Sequence, residues 1–213
     1  MNFKELLLKI TRIPLRLRVC FYLHWNRIIL HINDIKYGRN VRIFNHIYIK
    51  KDKQSSIQIG DNLIFSSGDA LNPLCRNIRG CIYAYGGSKI EIGNNVGLSS
   101  TCIWAKNHII IKDYVNIGGD CILLDTDAHN LDYRIRMAME IDEKGKGIDS
   151  ESAKSAPIVI EENVLIGTRC IILKGVTIGA RSIIGSGSIV TKSIPADCIA
   201  AGNPARPIRF INK

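Results

Sequence analysis

The chain has 213 residues, 46% of them hydrophobic, which is enough to bury a sizeable core and excludes global disorder. A net charge of +10 admits three classes of partner: nucleic acid, an anionic membrane surface or a phosphorylated small molecule. No RNA-binding aromatic-basic motif and no zinc-finger spacing accompanies that charge, so no nucleic-acid partner is expected. The seven cysteines include no CxxC pair and no secretory leader precedes them, so a reduced, cytoplasmic protein is expected, its cysteines serving as small core residues.

In chain order, residues 1–34 come first as an N-terminal segment. Residues 3–32 mix Leu, Ile, Phe and Trp with Lys4, Lys9, Arg12, Arg16, Arg18 and Arg27, against the single acid Glu5. Leu6, Ile10 and Ile13 share a helical face that Pro14 interrupts, which predicts two short helices or a helix followed by an extended piece. The apolar stretch Val19 to Ile32 is broken by His24, Asn26, Arg27 and His31 and is too short and polar to span a bilayer. Two readings stay open: a cap over the first turn of the following domain, or peripheral contact with the inner face of a membrane.

The second unit, residues 35–210, is governed by a repeat. Faint traces occur at Ile43 with Ile47 and at Ile59-Gly60 with Leu63. Residues 72–89 read as an irregular insert. An aliphatic frame then runs through Ile92, Leu98, Trp104, Ile110 and Ile122, with Val96, Cys102, His108 and Tyr114 in a second slot. It halts at Asp125-Thr126-Asp127-Ala128-His129-Asn130, and the polar residues 130–157 are expected to loop out. Excursions of that length inside a compact domain are usually functional or disordered. The repeat returns most sharply at Ile160, Ile166, Ile172, Ile178, Ile184 and Val190, with Val164, Cys170, Val176, Ser182, Ser188 and Ile194 four residues after each.

Helical faces recur at 3.6 residues and strand faces at 2, so a period of six fits neither a helix nor one long strand. It fits short strands separated by corners. Three such strands close a triangular coil of about eighteen residues, and coils stack at roughly 4.8 Å, giving an all-β parallel β-helix.

These hexads, together with Ile166-Gly167-Thr168-Arg169, Val190-Thr191-Lys192-Ser193-Ile194-Pro195 and Ala201-Gly202-Asn203-Pro204-Ala205-Arg206, resemble the hexapeptide-repeat acyltransferase family. The similarity spans about residues 37–210. It is greatest toward the maltose, galactoside and nodulation acetyltransferases and the polysaccharide O-acetyltransferases. The resemblance implies a left-handed coil, a homotrimer with sites between subunits, and acetyl transfer from acetyl-coenzyme A to a hydroxyl of a carbohydrate acceptor. An N-acetyltransferase of an amino-sugar nucleotide keeps the same fold, and a non-catalytic β-helix scaffold is the reading from another class.

An acceptor hydroxyl must lose its proton as it attacks a thioester, and a neutral imidazole suits that task near pH 7. His129, at the corner where the long loop opens, takes the general-base role by resemblance. Asp127 either orients it or binds the acceptor, or caps its own turn, whereas Asp125 reads first as such a turn cap. Ser99 stands where sugar-acetylating relatives carry an acceptor-binding asparagine. By the same resemblance Thr168, Ser186, Thr191, Lys192 and Arg209 match coenzyme-binding positions, with Arg206 a further candidate, and a backbone N–H near 168 is placed to stabilise an oxyanion. His108 is expected in or near the inward stack. No pair of neighbouring histidines suggests zinc, so no metal is expected.

Overall fold

A computed structural model describes residues 4, 11, 13–68, 72–75, 78–143 and 145–211. Inward aliphatics alternating with outward polar residues, broken by corner Asn, Asp and Gly, wind the chain into three parallel sheets around one core. The first face holds Lys36–Tyr37, Ser56–Ile59, Lys89–Ile92, His108–Ile111, Ile158–Ile160 and Thr177–Ile178. The second runs from Arg42–Phe44 through Ile64–Ser66, Gly97–Ser99, Asn116–Ile117, Leu165–Ile166 and Ile183–Ile184 to Cys198–Gly202, where Ala205–Phe210 pairs antiparallel. The third holds Tyr48–Lys51, Cys81–Ala84, Cys102–Ala105, Ile122–Leu124, Ile171–Leu173 and Ile189–Val190. The chain visits the faces in the order one, two, three, and each circuit adds a coil: a left-handed parallel β-helix.

In the last coils the sharp hexad is realised as expected. Val159 pairs with Thr177, Leu165 with Ile183 and Ile171 with Ile189, eighteen residues apart on every face. All twelve repeat positions from Ile160 to Ile194 are buried. The glycines beside them answer to the neighbouring coil: a Cβ on Gly167 would lie 2.6 Å from the Ser186 nitrogen.

The earlier frame slips. Leu98 and Ile103 are consecutive inward residues on faces two and three, one residue closer than the hexad requires. Because successive side chains of a strand point to opposite sides, a one-residue shift reverses every one that follows. Trp104, Ile110 and Ile122 therefore face outward, while Ile103, Ile109, Ile111 and Leu123 fill the core. Tyr114 is a corner residue with φ 60° and Cys102 is only half-buried. His108 points out of the prism, where its Nε2 meets Glu91 at 3.0 Å. Of the expected irregular insert, Cys81–Ala84 is a regular strand with Ile82 and Ala84 inward; the first excursion lies earlier, between Ser66 and Cys81.

The N-terminal helix α1 (Ile13–Ile32) is one continuous element, with Pro14 in its first turn, where a missing N–H leaves no bond unmade. Leu6 and Ile10 lie outside the described residues. Leu30 enters the core, and Asn26 donates from Nδ2 to the carbonyls of Ile43 and Asn45 at 2.9 and 2.8 Å. This face of the helix covers the first coil. Among the described residues no helix is long and apolar enough to cross a membrane. Cys75, Cys121, Cys170 and Cys198 are buried as expected, but Cys20 is exposed and Cys81 half-buried, so not all seven are core residues.

Candidate active site

The long excursion leaves the corner between faces three and one, and its neck is zipped. Thr126 bridges Ser155, the Ala156 N–H donates to Asp125 O at 3.0 Å, and the Asp127 N–H donates to Lys154 O at 2.9 Å. Beyond the neck the chain forms α2 (Tyr133–Ala138) and α3 (Ile148–Ser152). Asp125, fully buried, accepts the backbone N–H groups of Lys106 and Asn107 at 2.7 and 2.9 Å, so it caps the corner of the preceding coil and not, as expected, its own turn. Burial pushes its carboxyl above the ordinary value, against the pull of those N–H groups.

His129 stands at the base of this loop, its side chain 67% exposed. Its Nδ1 lies 2.6 Å from Oδ2 of Asp149 on α3, and the other carboxylate oxygen accepts the Asn130 N–H at 2.7 Å. The imidazole first, and then that N–H, hold the Asp149 carboxyl below the usual range. A carboxylate only accepts, so Nδ1 is the donor, and in the neutral ring Nε2 is the atom with the lone pair. Orienting the ring was one of the readings open for Asp127. Instead, Asp127 pairs through one oxygen with Lys174, and its other oxygen is buried without a partner.

Side chains of the prism hold α3 in place. Lys106 Nζ donates to the carbonyls of Ser150, Glu151 and Ala153, the last two at 2.8 and 3.2 Å, so a cation closes the helix C-terminus. Tyr85 donates its hydroxyl to Glu151, and Lys146 sits 4.6 Å above the Tyr85 ring. The result is a hollow of about 240 Å³ lined by Tyr83, Tyr85, Trp104, Lys106, His129 and Ser150 among others. Tyr83 and Trp104 stack across adjacent coils with centroids 6.1 Å apart. A larger groove, of about 610 Å³ along face one, has no histidine in its lining.

The remaining expected site residues divide by corner. Ser99, Thr168 and Ser186 line one groove of about 370 Å³, where face two turns into face three. The Thr168 N–H donates to Ser186 Oγ at 3.1 Å. Thr191 and Lys192, both exposed, follow Ile189–Val190 and so share the His129 corner, two coils further along. Arg206 and Arg209 are exposed on the last strand, at the face-two edge. One chain thus brings neither Ser99, Thr168 nor Ser186 to His129. Asp149, Lys106 and Tyr85 escaped the sequence reading, since no spacing rule ties a loop carboxylate to a histidine twenty residues upstream.

The six-repeat bacterial transferase hexapeptide family matches residues 157–192. Galactoside O-acetyltransferase of Escherichia coli K12 is 38% identical over 62% of this chain and 59% of its own length, so the chain spans less than two thirds of that relative. A hexapeptide-repeat acetyltransferase of Vibrio cholerae, solved with acetyl-coenzyme A, is 25% identical, with TM-score 0.51 over 89% of this chain and 79% of that one. A Bacillus cereus N-acyltransferase solved with dTDP-4-amino-4,6-dideoxyglucose and coenzyme A shares the fold, with TM-score 0.65 at 18% identity over 88% of this chain and 90% of that one. The chain is a left-handed β-helix whose residues 157–192 match the transferase hexapeptide, and it is similar to hexapeptide-repeat acetyltransferases.

Proposed function

We propose that the protein is an acetyltransferase that moves an acetyl group from acetyl-coenzyme A to a hydroxyl of a carbohydrate, with His129 as general base. The observation that carries this reading is the His129–Asp149 pair at the mouth of the aromatic hollow. Nε2 takes the proton of the acceptor hydroxyl as its oxygen attacks the thioester carbonyl. Collapse expels the coenzyme thiolate, which recovers that proton and leaves as the free thiol. Asp149 orients the ring and offsets the positive charge formed on it. Asp127 and Ser99 remain the acceptor-contact residues of this proposal. Thr168, Ser186, Thr191, Lys192, Arg206 and Arg209 serve the coenzyme, the cations among them facing its phosphates.

Because the Ser99–Thr168–Ser186 groove and His129 occupy different corners, we infer that the working site lies between copies, in a homotrimer. The free cysteines suit the reducing conditions of a cytoplasm.

The test is thiol release from acetyl-coenzyme A across free sugars, sugar nucleotides, amino-sugar nucleotides and lipid-linked glycans. His129→Ala is expected to lower turnover by roughly 10²–10⁴-fold while donor affinity changes little. Comparable turnover in variant and parent removes the assignment. A preference for amino sugars would move the acceptor from hydroxyl to amine.

A further inference from the structure

We propose that the outer face of α1 docks on an anionic lipid surface, so that one helix serves both as lid of the prism and as membrane contact. At 100° per residue, Leu17, Phe21, Trp25, Ile28 and Ile32 fall within an arc of about 80°, with Ile13 just beside it. All six are exposed, Leu17, Phe21 and Ile32 by 66%, 58% and 67%. Asn26 and Leu30, which seal the first coil, lie on the opposite side of the helix. The stripe is therefore not the side that packs on the prism. Phe21 and Trp25 stack 5.9 Å apart, forming a broad aromatic plate of the kind that settles at a lipid–water boundary.

Charge selects the occupant. Residues 13–32 contain no Asp or Glu, and Arg16, Arg18 and Arg27 flank the stripe in a chain of net charge +10. A second copy laid on this face would bring two such basic helices together with no acid in either to neutralise them. Nucleic acid would leave the apolar stripe wet. An anionic bilayer satisfies both features, taking the apolar residues among its acyl chains and the guanidinium groups at its phosphates. Both the capped coil and the His129 coil belong to one prism, three coil steps of roughly 4.8 Å apart, so a docked helix would hold the hollow close to the lipid surface. The docking itself does not depend on the acetyl-transfer reading; the advantage for lipid-linked acceptors does.

Full-length protein is to be sedimented with vesicles of phosphatidylcholine and phosphatidylglycerol, and with phosphatidylcholine alone, at low and high salt. Sedimentation is expected only with the anionic vesicles at low salt, and Leu17→Glu with Phe21→Glu should lower the partition at least about tenfold. A Trp104→Phe variant, whose one remaining indole is Trp25, should show a blue-shifted emission on the same vesicles, a readout that needs no change in the helix. Absence of sedimentation and of the blue shift overturns the proposal. So does a double variant that sediments like the parent, or one that instead loses self-association in light scattering, which would make a second copy the occupant.

Discussion

The imidazole of His129 and the carboxylate of Asp149 meet across the neck of a loop, 2.6 Å apart. Asp149→Asn keeps the shape and removes the charge, so turnover should fall about ten- to a hundredfold with little change in the donor KM. A matched fall in donor affinity would show that Asp149 merely supports the loop. The pair also sets a pH dependence. A carboxyl lowered by folding gives up its proton more readily in the native state than in the unfolded chain. Its contribution to loop docking is complete above its ordinary value of 3.8 and is lost as pH falls through the lower native value. Limited proteolysis across residues 139–147 should find the loop protected above pH 3.8 and increasingly opened as the pH is taken well below it. Equal cleavage in both ranges would break the link between this charge and the docking of α3.

At the scale of elements, strand register decides which face of each segment meets the core. Ile103 is fully buried and Trp104 38% exposed, although the hexad places the tryptophan inside. Ile103→Asp should prevent folding, because an unpaired carboxylate in that interior has no compensating partner. Trp104→Gln should keep the circular dichroism and lose only the lining of the hollow. The opposite result would restore the unslipped frame. The excursion is an element of the same kind, ordered from outside. Lys106 holds the carbonyl end of α3 and Tyr85 holds Glu151, so Lys106→Met should lower turnover while leaving thermal unfolding of the prism nearly unchanged, as measured by calorimetry.

For the whole molecule, the separation of corners matters most. Ser99, Thr168 and Ser186 lie where face two turns into three; His129, Thr191 and Lys192 lie where face three returns to one. A bulky Ser186→Trp change and His129→Ala should each silence the protein alone. Mixed by unfolding and refolding together, they should recover activity at about a quarter of the sites if each site draws on two copies. No recovery would locate the whole site within one chain. The prism suits such an assembly because its stacked coils make a rigid body, with an aliphatic interior continuous from Leu30 to Ala205.

How much of this was legible depends on the range of the forces involved. Residues 160–194 announce their coils because each inward aliphatic is dictated by its own strand, and the period of six survives unbroken. His129 could be singled out because it stands where that period breaks. The cap was legible as one of two readings, and α1 carries the packing face of one and the exposed stripe of the other. The tertiary structure alone decided the register of Trp104, Ile110 and Ile122, because one residue lost at a corner leaves composition untouched yet reverses a strand. It alone joined Asp149 to His129 and left Asp127 to Lys174, since a loop's course is set by cross-chain hydrogen bonds that leave no periodic mark on the residues making them.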